Sequence, residues 1–118
     1  MSSIFSATAH ERDGARVIAV AGEFDLGGAT AFREARFEAF GDDGPVIVDL
    51  TDCTFIDSTG IACVIRTFER ADRTGRPFAL VASVFHVRRV LELVGIPNRV
   101  PCFESLGEAQ ASLALVEG

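Results

Sequence analysis

The chain contains no lysine, tryptophan or tyrosine, has only two histidines, and lacks any apolar run of bilayer length. Without lysine there is no Gly-x-x-x-x-Gly-Lys-Ser/Thr loop, which excludes a phosphate cradle of the nucleotide-hydrolase type. His10 falls in an expected hairpin and His86 in a later loop or helix start, and no Gly-x-Ser-x-Gly elbow is present. A serine hydrolase therefore lacks its base and its turn. The three cysteines, Cys53, Cys63 and Cys102, are an odd number without paired spacing, which argues against a disulfide framework and a zinc site. They are expected as small buried hydrophobes. Bases are scarce, with 11 against 17 acids and a net charge of −6, and a clustered basic surface is not expected. Nucleic acid and anionic membrane surfaces are accordingly not expected as partners. No segment reaches the roughly 18 to 20 apolar residues of a membrane span. Met1-Ser-Ser-Ile-Phe-Ser lacks the basic flank and apolar core of a signal peptide, so a cytoplasmic protein is expected.

What is present suits one globular domain over residues 1–118, since 48% of the 118 residues are hydrophobic and 24% charged. Ile4 to Ala9 and Arg16 to Ala21 read as strands joined by a turn at Asp13-Gly14. A polar, glycine-rich connection from Gly22 to Gly28 leads to a helix over Ala29 to Phe40, ended by Gly41. Gly27-Gly28 before that helix is a weak phosphate-cradle signal and suits a flexible start to the helix better. Val46 to Leu50 is almost continuously apolar, as in a strand covered on both faces. After a polar segment, Ile61, Val64, Ile65 and Phe68 mark one face of a helix that Gly75 and Pro77 stop, with Glu69 and Arg73 in favourable i, i+4 order.

The unit then recurs. Phe78 to Ala82 reads as a strand, Ser83 as the cap of a helix carrying Val87, Val90, Leu91 and Val94, and Arg99 to Phe103 as a last strand. Ser105-Leu-Gly-Glu108 has capping-box spacing and opens a helix with Ala109, Leu113 and Val116 inward. The order ββαβαβαβα implies an α/β fold: a mixed, mostly parallel sheet with an N-terminal antiparallel hairpin and four helices.

One constellation carries chemistry. The strand at Val46 runs into Asp57-Ser58-Thr59-Gly60 at the mouth of a helix, where free N–H groups and the helix dipole favour negative charge. Ser58 is suited first to cap that helix, a role that contributes about 0.5 to 2 kcal/mol, and the same side chain is also placed to carry a phosphate. Asp57 fits capping too, or orientation of the hydroxyl or of a partner's metal ion. Asp57-Ser58-Thr59-Gly60 differs by one residue from the Asp-Thr/Ser-Gly signature of dimeric aspartic proteases, and the helical period after it argues against that chemistry.

Three segments together resemble the STAS domain, in particular the stand-alone anti-sigma-factor antagonists of bacteria. Gly22-Glu23-Phe24-Asp25 is similar to the family's Gly-Glu-Leu-Asp. Ile47 to Ile61, with Asp57-Ser58-Thr59-Gly60, resembles its phosphoacceptor signature, and Val87-Arg88-Arg89-Val-Leu-Glu92 to Ile96 its following helix. The resemblance implies a non-enzymatic domain phosphorylated on Ser58, with Thr59 as an alternative acceptor. It implies binding, when unphosphorylated, to an anti-sigma factor that is also a serine kinase and uses the ATP. A PP2C-type phosphatase would reverse the modification, and the antagonist itself needs no cofactor or metal. Gly22, Glu23, Asp25, Asp57, Ser58, Thr59 and Gly60 are the expected partner-binding positions, with Asp25 the foremost polar contact. Phe85-His86 stands where many relatives have proline before the helix. A scaffold role, as in stressosomes or beside a lipid-transport ATPase, is the alternative that the same fold offers.

Overall fold

Asp13 and Gly14, at φ 49° and 86°, form a two-residue turn between β1 (Ser6–Arg12) and β2 (Ala15–Phe24). Two successive positive φ values give the turn whose twist matches paired antiparallel strands. A computed structural model describes the backbone of residues 4–117 and the side chains of residues 4–114. The chain continues through a 3-10 turn at Leu26–Gly28, α1 (Ala29–Ala39), β3 (Val46–Ile56), α2 (Ser58–Arg73), β4 (Phe78–Val81) and α3 (Phe85–Leu93). A second 3-10 turn at Ile96–Asn98, β5 (Cys102–Phe103) and α4 (Leu106–Glu117) complete it. The sheet order is β1-β2-β3-β4-β5, antiparallel between β1 and β2 and parallel elsewhere, as the element order predicts.

Residues alternate across β3, so Val46, Val48 and Leu50 join Phe24, Phe32, Val64, Leu80 and Leu91 in the larger core, between the sheet and α1, α2 and α3. Ile47 points the other way, into a smaller core with Val17, Ala79, Val81, Ala109 and Leu113 beneath α4. Both faces being covered accounts for the unbroken apolar run in this strand. Among the described residues, no helix is long and apolar enough to cross a membrane.

Several boundaries differ from expectation for identifiable reasons. The polar segment after Leu50 is strand, not loop: β3 continues to Ile56 because β2 continues beside it to Phe24. β4 pairs only as far as Asp49 and β1 only as far as Ala21, so the end of β3 is a two-stranded ribbon with β2; beyond Leu50, Cys53 and Ile56 alone are buried in β3. Bulges between Ala19 and Ala21 and between Gly22 and Glu23 absorb the register difference. Gly22 sits there at φ 90°, and a Cβ would lie 2.9 Å from the Ile4 carbonyl oxygen. The last strand shrinks because the amides of Arg99 and Val100 are bonded to the Ile96 carbonyl in a turn. Ser83 does not cap α3; Val84 takes that position without a side-chain bond. On α2 the fully buried line is Gly60, Cys63, Val64, Thr67 and Ala71, with Ile61, Ile65 and Phe68 packed half-buried along it. Glu69 pairs with Arg99 at 3.7 Å rather than with Arg73. Ser105 Oγ accepts from the Glu108 amide at 3.1 Å, as the capping-box spacing predicts. The expected inward side chain of Val116 lies outside the described residues.

Candidate functional site

β2 and β3 end side by side, Phe24 opposite Ile56, and each strand is followed by an aspartate that starts a helical turn. Asp25 (φ −122°, ψ −165°) and Asp57 (φ −118°, ψ −168°) have nearly the same extended backbone. Their carboxylates act alike. Asp25 Oδ1 accepts from Gly27 N at 3.0 Å, and Asp57 Oδ1 accepts from Thr59 N at 2.9 Å and Gly60 N at 3.2 Å. The Asp57 amide donates to the Phe24 carbonyl at 3.3 Å, which ties the start of α2 to the end of β2.

Ser58 is therefore not the cap expected of it. The ribbon pairing keeps Asp57 extended, the usual conformation of a cap, and Ser58 is the first helical residue. Its side chain is exposed and, among the described residues, has no hydrogen-bond partner. Thr59 is half-buried. Gly60 is buried, and a Cβ there would lie 2.7 Å from Ile56 Cγ1 and 2.8 Å from the Phe24 carbonyl oxygen. Gly22 is likewise buried, so the two glycines offer close approach of backbone rather than side-chain surface. Glu23 is exposed, and Asp25 is half-buried with an oxygen committed to its cap.

The fold also brings to this end of the sheet apolar side chains that no motif in the sequence marks. Leu26 is 77% exposed, Phe85 80% and Phe55 38%. Leu26 follows Asp25 as Ser58 follows Asp57, and Phe55 precedes Ser58 by three residues. The His86 ring stacks on Phe55, with 6.5 Å between centroids, which draws the start of α3 toward the same ribbon.

Electrostatically the site offers Ser58 a helix N-terminus whose Thr59 and Gly60 amides are already taken by Asp57. A phosphate on Ser58 gains from the helix dipole but competes with a carboxylate for donors. No cysteine contributes reactivity: burial pushes the thiols of Cys53 and Cys63 up, and that of Cys102 to about 11. Among the described residues, no group of three or more His, Cys, Asp or Glu side chains is placed to hold a metal ion.

Comparison with known proteins places this geometry in context. Residues 6–109 match the family model described as the STAS domain. The chain is 29% identical over 103 residues to the anti-sigma-F factor antagonist RsfB of Mycobacterium tuberculosis, covering 86% of this chain and 84% of that protein. The crystal structure of an anti-sigma factor antagonist from Mycobacterium paratuberculosis superposes with a TM-score of 0.88 at 26% identity, over 97% of this chain and 99% of that one. The anti-sigma factor antagonist SpoIIAA of Bacillus, in its unphosphorylated form, shares the fold at a TM-score of 0.67 and 18% identity, over 98% and 99% of the two chains.

Proposed function

The chain belongs to the STAS domain family, and on that premise we propose that it is an anti-sigma-factor antagonist switched by phosphorylation of Ser58. The observation that carries this function is the Ser58 hydroxyl itself: exposed, unbonded and first in a helix whose cap is supplied by the preceding residue. The unphosphorylated protein binds an anti-sigma factor, which releases the sigma factor. That same partner is a serine kinase. Ser58 Oγ attacks the γ-phosphorus of the partner's ATP, the bond to ADP breaks, and the hydroxyl proton passes to a base on the partner. A PP2C-type phosphatase restores the hydroxyl.

Support for a switch at the interface comes from how little the fold depends on Ser58. Asp57 holds the helix start, and the unmodified Ser58 hydroxyl makes no hydrogen bond among the described residues, so the cap does not rest on Ser58. The modification instead brings a charge of about −1.5 to −2 to a surface where Leu26, Phe55 and Phe85 stand exposed. A partner surface fitted to those side chains and to a neutral hydroxyl must then desolvate an anion. Losing roughly 3 kcal/mol there weakens binding by more than 100-fold. Glu23 and Asp25 supply polar contacts at the edge of the same surface.

The test is purified protein with its cognate anti-sigma factor and ATP, read by mass spectrometry and by binding. One phosphate on Ser58 is expected, with Ser58→Ala binding as wild type and Ser58→Asp at least about 100-fold weaker, all at unchanged circular dichroism. Wild-type affinity in Ser58→Asp, together with no modification by the partner, would sink the proposal.

A further inference from the structure

In a chain with 17 acids and 11 arginines, every arginine has the chance of a carboxylate, yet only some take it. Arg16, Arg88, Arg89 and Arg99 pair with Asp42, Glu104, Glu92 and Glu69. Arg76 donates to the carbonyls of Gly44 at 2.6 Å and Ala39 at 3.2 Å, which makes it structural. Of the six that remain, only Arg12 stands apart. The other five, Arg33 and Arg36 on α1 and Arg66, Arg70 and Arg73 on α2, fall at i, i+3 and at i, i+4, i+7, one face of each helix.

α1 and α2 lie against the same core, which turns those two faces into one groove. Arg36, Arg66, Arg70 and Arg73 line a single surface depression with Glu69, whose carboxylate is the one within reach of Arg99. Among the described residues these four guanidiniums have no hydrogen bond or ion pair; Arg33 reaches only the Thr30 hydroxyl at 3.4 Å, and Arg70 lies over the Phe40 ring at 4.6 Å. Arg36 is half-buried among them. Burial pushes its guanidinium below the usual value; the Cys63 thiol opposes this, and the charges of Arg70, Arg33 and Arg66 add to it.

We infer that the groove between α1 and α2 is a binding site for a multiply charged phosphate compound, a diphosphate or a longer phosphate chain. Guanidinium forks hold phosphate oxygens in pairs, and the row from Arg66 to Arg73 is about 10 Å long, suited to successive phosphates. A single carboxylate would leave most of the groove's charge uncompensated. An extended nucleic acid is disfavoured because the surface outside the groove is more acidic than the chain's net charge of −6, and repels a polyanion that continues past it. The site is separate from the phosphoacceptor: Arg66 lies eight residues, about 12 Å, along α2 from Ser58.

Titration of the protein with inorganic pyrophosphate at low salt, followed by two-dimensional amide NMR, tests the site independently of Ser58. Saturable shifts confined to α1 and α2 are expected, with a dissociation constant below about 1 mM. The pair of exposed changes Arg66→Gln and Arg73→Gln, and separately Arg36→Gln with Arg70→Gln, should each weaken binding at least about tenfold, while Arg12→Gln leaves it unchanged. A nucleoside triphosphate binding as tightly as pyrophosphate assigns recognition to the phosphate chain, and binding more than about tenfold tighter adds a contact to the nucleoside; either supports the site. No saturation by about 10 mM pyrophosphate, or equal affinity in the folded Arg66→Gln/Arg73→Gln protein, overturns it.

Discussion

Replacing Gly60 by alanine sets two effects of known sign against each other at the start of α2. Alanine in place of glycine within a helix gains up to about 1 kcal/mol from the lower entropy of the unfolded chain. Against that, the new methyl would sit 2.7 Å from Ile56 Cγ1, 2.8 Å from the Phe24 carbonyl oxygen and 3.0 Å from Phe24 Cγ. Two of those atoms belong to fully packed core side chains and the third to backbone at the end of β2, so none can yield freely. Forcing such a methyl in costs about 1 to 3 kcal/mol and moves α2 off the ribbon that carries Asp57 and Ser58. With contacts this short at packed and backbone atoms the steric cost lies in the upper part of that range, about 2 to 3 kcal/mol, and the net loss is about 1 to 2 kcal/mol. At roughly 4 °C per kcal/mol for a domain of this size, the melting temperature should fall by about 4 to 8 °C. Gly107 provides the control. It lies in the first turn of α4, where a Cβ would meet nothing closer than Ser105 Oγ at 4.0 Å, so Gly107→Ala should hold or raise stability. Thermal melts and urea unfolding of the two variants decide the matter. If Gly60→Ala melted at or above the wild-type temperature, the contact between α2 and the β2 end would be slack, and the site would not be held as described.

Asp57→Ala removes the acceptor for two amides and should cost about 0.5 to 2 kcal/mol, whereas Asp57→Asn keeps an oxygen in place and should recover most of it; equal loss in both, by urea midpoint, would contradict the cap. Cys102 supplies a pH dependence. Its thiol is raised by burial from an ordinary 9.0 to about 11, so the stability gained by burying it neutral is complete below about pH 9 and lost as pH rises toward 11. Urea midpoints should therefore fall less steeply between pH 9 and 11 in Cys102→Ala than in wild type, and parallel profiles would remove Cys102 as a cause.

Much of this architecture is written locally. The Asp13-Gly14 turn, the apolar run at Val46 and the capping box at Ser105 each depend on residues a few positions apart, and each falls where the periodicity predicts. The segment Thr51 to Ile56 was illegible for the opposite reason. Its polar residues look like loop, yet pairing to β2 through the bulge at Gly22 makes it strand, and that pairing joins residues about thirty positions apart. The exposed apolar residues Leu26, Phe55 and Phe85 carry no mark in the sequence, because burial, not residue type, identifies them.

The amino-acid sequence alone determined the element order, the parallel sheet with its antiparallel edge, and the placing of Ser58 where a strand gives way to a helix, because propensity, turn chemistry and periodicity act over a few residues. Only the tertiary structure decided that Asp57, bonded to Phe24, caps the helix and leaves the Ser58 hydroxyl free. It alone brought Arg36 of α1 beside Arg66, Arg70 and Arg73 of α2 in one groove. The physical reason is common to both: these arrangements depend on which strands pair and which helices share a core, and such contacts are set by burial across the whole domain.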